Sequence, residues 1–229
     1  MIFRDRTEAG RRLARELRHY AGRPDVVVLG LPRGGIPVAF EVARALGAPL
    51  DVFVVRKLGM PGQEELAIGA IASGGVRVVN EDLLARLGVP PEVVDEVASR
   101  EGRELSRRER AYRGPREAVP VAGRTAILVD DGLATGASLR AAAIALRRLR
   151  PARIVAAVPV GAAETCEEFR RVVDEIVCSE TPEPFWAVGN WYQDFSQTTD
   201  EEVRALLERA RDGAEAGEPG AARLHEHAS

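Results

Sequence analysis

Five short and almost purely apolar runs constrain this chain most: VVVLG (26–30), VFVV (52–55), TAILVD (125–130), IVAAVPV (154–160) and EIVCS (175–179). Strands apolar on both faces must be covered on both faces, the condition of a parallel sheet between helical layers. Helix-like stretches separate the runs: IPVAFEVARALG (36–47), the alanine-rich 138–149, and 162–171. Strand and helix alternating in this way predict an α/β fold in three layers, a central, mostly parallel sheet flanked by helices. Residues 7–21 have the pattern of an amphipathic helix, with Thr7 as N-cap and Leu13, Leu17 and Tyr20 on one side. LAIGAIASGGVRVV (66–79) has the form of a hairpin turning at Gly74 and Gly75. Asn80 is placed to cap a short helix to Leu87, and Pro90 and Pro91 to open a longer, highly charged one to about Tyr112. DEEVRALLERAR (200–211) is the last expected helix, and an Ala/Gly/Glu-rich tail over 213–229 is expected to be flexible.

Composition removes several function classes. At 45% hydrophobic and 29% charged residues the chain is of globular type. No apolar run approaches the roughly 18–20 residues of a membrane span, and MIFRDRTEAGRR holds no apolar signal core, so a cytoplasmic protein with no membrane partner is expected. A net charge of -3 with both signs interspersed gives no reason to expect nucleic acid as a partner. Histidine is scarce: His225 and His227 lie in the tail and His19 in the first helix, which argues against His-based nucleophilic catalysis or a His metal site. Cys166 and Cys178 have neither metal-ligand spacing nor a disulfide framework around them, and two free, buried thiols are expected. GxxxxGK[ST], GxGxxG and GxSxG patterns are all absent.

The chemical signal sits in AILVDDGLATGAS (126–138), an apolar strand that ends in two carboxylates and turns through small residues into a helix. Ala134, Thr135, Gly136, Ala137 and Ser138 offer converging amides, two hydroxyls and the positive end of a helix dipole to a phosphate. Asp130 and Asp131, at the carboxyl end of a parallel strand, are placed to accept hydrogen bonds from sugar hydroxyls or to address a divalent cation. Together these describe a cradle for a pentose 5-phosphate.

This run resembles the phosphoribosyl diphosphate (PRPP) motif of the type I phosphoribosyltransferase family. GLPRGG (30–35) resembles the pyrophosphate-binding loop after the family's first strand, with Arg33 as donor fork and Gly34 and Gly35 as a tight turn, and a cis peptide within Leu31–Arg33 is implied. VVRKLGMPG (54–62) resembles the segment where basic residues meet the pyrophosphate. Of the 32 basic residues one is lysine, so 31 are arginine, and that one lysine, Lys57, stands beside Arg56 here. Residues 58–65 would then be a lid hinged at Gly59, Pro61 and Gly62, with Glu64 or Glu65 nearest the reaction. The aromatic segment Phe185, Trp186, Trp191, Tyr192 is the candidate base pocket, and the C-terminal segment the candidate hood.

Three regions follow: a core over 1–180 with an inserted segment at about 74–123, a hood with a C-terminal helix over 181–212, and the tail. The resemblance implies transfer of a phosphoribosyl group from PRPP to a base-like acceptor, with Mg²⁺ held indirectly by Asp130 and Asp131 through PRPP, and it leaves a homodimer open. A regulator that senses PRPP on the same fold, a sugar-phosphate or nucleotide hydrolase, and a phosphate-binding module are the alternatives.

Overall fold

The computed structural model describes residues 2–217. Its central sheet has five parallel strands in the order β2 (Leu50–Val52), β1 (Val26–Gly30), β6 (Thr125–Val129), β7 (Arg153–Val160), β8 (Glu175–Glu180). Register is set by matched apolar runs: Val26 lies opposite Thr125 and Gly30 opposite Val129, so β1 and β6 end at the same edge. Alternate residues feed opposite layers. Val26, Val28, Ile127, Val129, Val155 and Ala157 face α1 (Arg6–Glu16) and α2 (Gly35–Leu46). Val27, Leu29, Ala126, Leu128, Ile154 and Ala156 face α5 (Ala137–Arg148) and α6 (Ala163–Phe169). Burying each such Val, Leu or Ile contributes roughly 1.5–3 kcal/mol, which is why the core-facing positions of the runs are apolar.

A second, antiparallel sheet is built from β3 (Val55–Met60), β4 (Gln63–Ala72) and β5 (Val76–Val79). The GG turn joins β4 to β5, with Gly74 and Gly75 both at positive φ. Leu58 and Ile68 pack on Val94, Val97 and Ala98 of the long helix α4 (Pro91–Arg113), which follows the short helix α3 (Glu81–Leu87). The inserted segment therefore covers this sheet, and the sheet is the hood over the fold. The C-terminal segment, expected in that role, instead forms a strap on the N-terminus: the Phe3 amide donates to Trp191 O at 2.8 Å and the Gln193 amide to Phe3 O at 2.8 Å.

Several expectations change. VFVV is two pieces, because β2 ends at Val52 and the chain crosses through Phe53 and Val54 into the antiparallel sheet. The first helix is capped by Asp5, whose carboxylate accepts from the Glu8 amide at 2.7 Å, and Thr7 lies inside the helix. Asp5 with Glu8 three residues on is a capping-box spacing, and it outcompetes Thr7. Cys166 of α6 and Cys178 of β8 are joined in a disulfide with Cα atoms 6.7 Å apart, so they are not free thiols: the fold lays this helix against the next strand. The last helix, α7 (Asp200–Gly217), runs on past residue 211 into the stretch expected as tail, and residues 218–229 of that tail lie outside the described residues.

Candidate active site

The carboxyl edge of β1 and β6 brings two loops together. After β6 the chain presents Asp130 and Asp131, then the turn 132–136, then α5. Gly136 caps α5 in a left-handed conformation, φ 72°, and is buried, while Ala134, Thr135, Ala137 and Ser138 are exposed around it. A Cβ at Gly136 would stand 2.5 Å from the Phe169 ring, so this position needs glycine for both backbone and space. Thr165 of α6 donates to Ala134 O at 2.8 Å and fixes the turn from below. The helix start thus offers amides that have no intrahelical partner to whatever lies above it.

The GLPRGG loop packs directly on the acidic pair. Gly34 has ordinary helical dihedrals, φ -60° and ψ -32°, so its reason is space rather than a turn. A Cβ there would lie 2.0 Å from Asp131 Oδ2, and one at Gly35 would lie 2.7 Å from Val129 O. The Pro32–Arg33 peptide is cis, inside the stretch where a cis bond was expected.

Asp131 is held from three sides. Arg6 Nε donates to its Oδ2 at 2.8 Å, the Tyr192 hydroxyl donates to its carbonyl at 2.6 Å, and its amide donates to Asp130 Oδ1 at 2.9 Å. Arg6 is itself fixed by donation to Ser196 O at 2.7 Å and by the Phe195 ring, whose centroid is 4.1 Å from the guanidinium carbon. Burial pushes the Asp130 carboxyl well above the ordinary 3.8, and the neighbouring Asp131 charge adds to this. Burial also raises Asp131, while Arg6 pulls it back.

A folded-state value raised above the unfolded one means that the folded chain retains the Asp130 proton where the unfolded chain releases it. Its stability contribution is complete below the ordinary Asp range and is lost as pH rises through the raised value. Asp130→Asn removes that titration. The variant's denaturation midpoint relative to the parent should therefore improve as pH rises above the ordinary Asp range, and a pH-independent difference would contradict the assignment.

The other expected site residues are dispersed. Arg56 donates to Glu101 of α4 at 2.8 Å through Nε, and Lys57, on the opposite face of β3, pairs with Glu65 at 3.2 Å. Neither is joined to Arg33 or the acidic pair by a hydrogen bond or ion pair among the described residues, because β3 belongs to the second sheet rather than to the edge of the first. Residues 58–65 form the tip of the β3–β4 hairpin, with Glu64 and Glu65 exposed. Arg33 extends toward α4 and α7, 3.8 Å from Asp200. Trp186 is 79% exposed, Phe185 and Trp191 are partly buried against Phe3, and Tyr192 is buried behind Asp131. Tyr192 therefore supports the acidic pair and has no free ring face for a base. Arg6 went unrecognised in the sequence because it contacts a residue 125 positions away; its one local signal is its place at the start of a capped helix carried by the N-terminus.

The model of the phosphoribosyl transferase domain matches residues 3–66 and 60–193. Two curated Mycobacterium tuberculosis proteins, provisionally named phosphoribosyl transferases, are 50% identical over 217 residues, 94% of this chain and 49% of theirs. The chain spans about half the length of these relatives. An orotate phosphoribosyltransferase of Heliobacterium modesticaldum is 39% identical over 93 residues, 41% of this chain and 47% of its own. The crystal structure of the Thermus thermophilus protein TT1426 superposes with a TM-score of 0.82 at 44% identity, covering 91% of this chain and 99% of that one. With its matched residues running from the Arg6 strap through both loops to Tyr192, the chain belongs to the phosphoribosyl transferase domain family.

Proposed function

We propose that the chain transfers the 5-phosphoribosyl group of PRPP to a base-like acceptor and releases pyrophosphate. The observation that carries this is the direct packing of the Gly34–Gly35 loop on Asp131, beside the Gly136-capped start of α5. A diphosphate loop, a pair of ribose-facing carboxylates and a phosphate-binding helix start then share one sheet edge. In this reading Ala134, Thr135, Gly136, Ala137 and Ser138 bind the 5-phosphate, Asp130 and Asp131 orient the ribose hydroxyls, and Arg33, Gly34 and Gly35 meet the leaving pyrophosphate. The C1–O bond to pyrophosphate breaks with its electron pair on the leaving group, an acceptor nitrogen pair forms the new C1–N bond, and the acceptor's proton passes to solvent. The transition state is rich in positive charge at C1, and the protein's part is positioning and charge compensation.

The residues fit a Mg²⁺ ion bound through substrate rather than by the protein. Asp131 is already paired with Arg6, so in this reading it addresses the ion through the ribose of PRPP. Mg²⁺ characteristically takes one or two carboxylates plus substrate phosphates. The chemistry such an ion supplies is neutralisation of charge on the departing pyrophosphate.

The test is calorimetric titration with PRPP, with and without Mg²⁺, followed by pyrophosphate detection across purine, pyrimidine and pyridine acceptors. Mg²⁺-dependent binding with turnover on one acceptor is expected. Binding without turnover on any acceptor would favour a PRPP sensor, and release of ribose 5-phosphate without acceptor a hydrolase. On the active acceptor, Trp186→Ala should raise KM several-fold with an unchanged melting temperature, since an exposed ring has stacking to lose but little burial. An unchanged KM would remove Trp186 from the acceptor site.

A further inference from the structure

The Arg33 side chain leaves the acidic pair and enters a cavity of about 150 Å³ walled by Arg107, Arg108, Ala111 and Tyr112 of α4 and by Asp200 of α7. Three guanidinium groups line it with one carboxylate, that of Asp200. Arg107 and Arg108 share Glu104, at 2.7 Å and 2.9 Å, and their hydrogen bonds hold the Glu104 carboxyl down at about 2. Asp200 accepts from the Tyr112 hydroxyl at 2.9 Å and faces Arg33 only at 3.8 Å, beyond hydrogen-bond reach. One positive charge is left over, and Arg33 has a loosely engaged donor fork.

We infer that Arg33, Arg107 and Arg108 form a subsite for a phosphate-class oxyanion, with the Asp200 carboxylate standing where that anion's oxygens go. A tetrahedral oxyanion presents several acceptors to planar guanidinium forks, which a single carboxylate held by Tyr112 does not. The subsite also gives the inserted segment a chemical role: α4 is the element that carries two of the three arginines. This deepens the transfer reading, on which its use of Arg33 rests, by adding the two arginines of α4, and loss of affinity in the α4 variant alone tests that addition.

The test uses inorganic pyrophosphate and orthophosphate, titrated into the full chain at low ionic strength. Pyrophosphate should bind the parent, at least tenfold more weakly the Arg107→Ala/Arg108→Ala double variant, and several-fold more tightly Asp200→Asn. Arg107 is exposed and Arg108 partly so, so the double variant should stay folded with a melting temperature close to the parent's. Asp131→Asn should weaken PRPP binding and leave pyrophosphate binding unchanged, which separates this site from the transfer reading. Saturating PRPP distinguishes the source: competition would identify the anion as the diphosphate of PRPP, and continued pyrophosphate binding as a separate phosphate ligand. Equal pyrophosphate affinity in parent and double variant, no pyrophosphate binding to the parent, or weaker binding to Asp200→Asn would each overturn the proposal.

Discussion

Gly34→Ala should abolish PRPP binding while leaving most of the fold intact. The added Cβ falls 2.0 Å from Asp131 Oδ2, 2.7 Å from Asp131 Cγ and 3.2 Å from Arg6 Nε. Because φ and ψ at Gly34 suit any residue, the substitution carries no backbone penalty and acts by contact alone. Overpacking of this kind costs about 1–3 kcal/mol, and the part that yields is the Asp131–Arg6 pair. A displacement of about 1 Å in a positioning group lowers turnover by on the order of 10²-fold. PRPP titration together with a thermal melt reads both effects: lost binding with a melting temperature a few degrees lower is expected. Parent-like PRPP affinity in the variant would show that the contact between the glycine loop and Asp131 plays no part in binding.

Legibility from the sequence depended on whether a feature was local. Four of the five parallel strands were readable because each centres on a short, mostly apolar run, and the β4–β5 hairpin because GG supplies two positive-φ residues in succession. The α5 start was readable for the same reason, since Gly136 acts on its own turn. What could not be read were contacts between distant segments. Nothing in DRTEAG announces that Arg6 reaches Asp131, and nothing in GLPRGG says that Gly34 is small because a carboxylate from another strand presses on it. That Arg56 and Lys57 stand on the second sheet was not legible, because VFVV conceals the crossing from one sheet to the other between Val52 and Val55. Cys166 and Cys178 were misjudged because proximity of α6 to β8 is a property of the fold rather than of their spacing.

Asp51→Ala should be the most destabilising of these changes, by about 3–5 kcal/mol. Asp51, at the middle of β2, is 5% exposed and its carboxylate accepts from Arg113 Nε at 3.0 Å, the Val52 amide at 2.7 Å and the Val119 amide at 2.8 Å. Arg113 also donates to Val52 O at 3.2 Å and is itself largely buried. Truncation at residue 51 therefore takes the carboxylate from two backbone amides and from a largely buried guanidinium, which keeps only Val52 O and, at 3.6 Å, Glu109. The pair also fixes an orientation: through Arg113 and Val119 it pins the end of α4, and the chain beyond it, to the edge strand of the parallel sheet. Loss of that pin should loosen α4 along with Arg107 and Arg108, so the variant should lose pyrophosphate affinity as well as stability. Asp51→Asn, which keeps an acceptor oxygen for the amides but gives up the charge opposite Arg113, should fall between the two. Urea midpoints for parent, Asn and Ala variants in that descending order are expected, and an Ala variant within about 1 kcal/mol of the parent would show that the insertion is held chiefly by its apolar contacts with the antiparallel sheet.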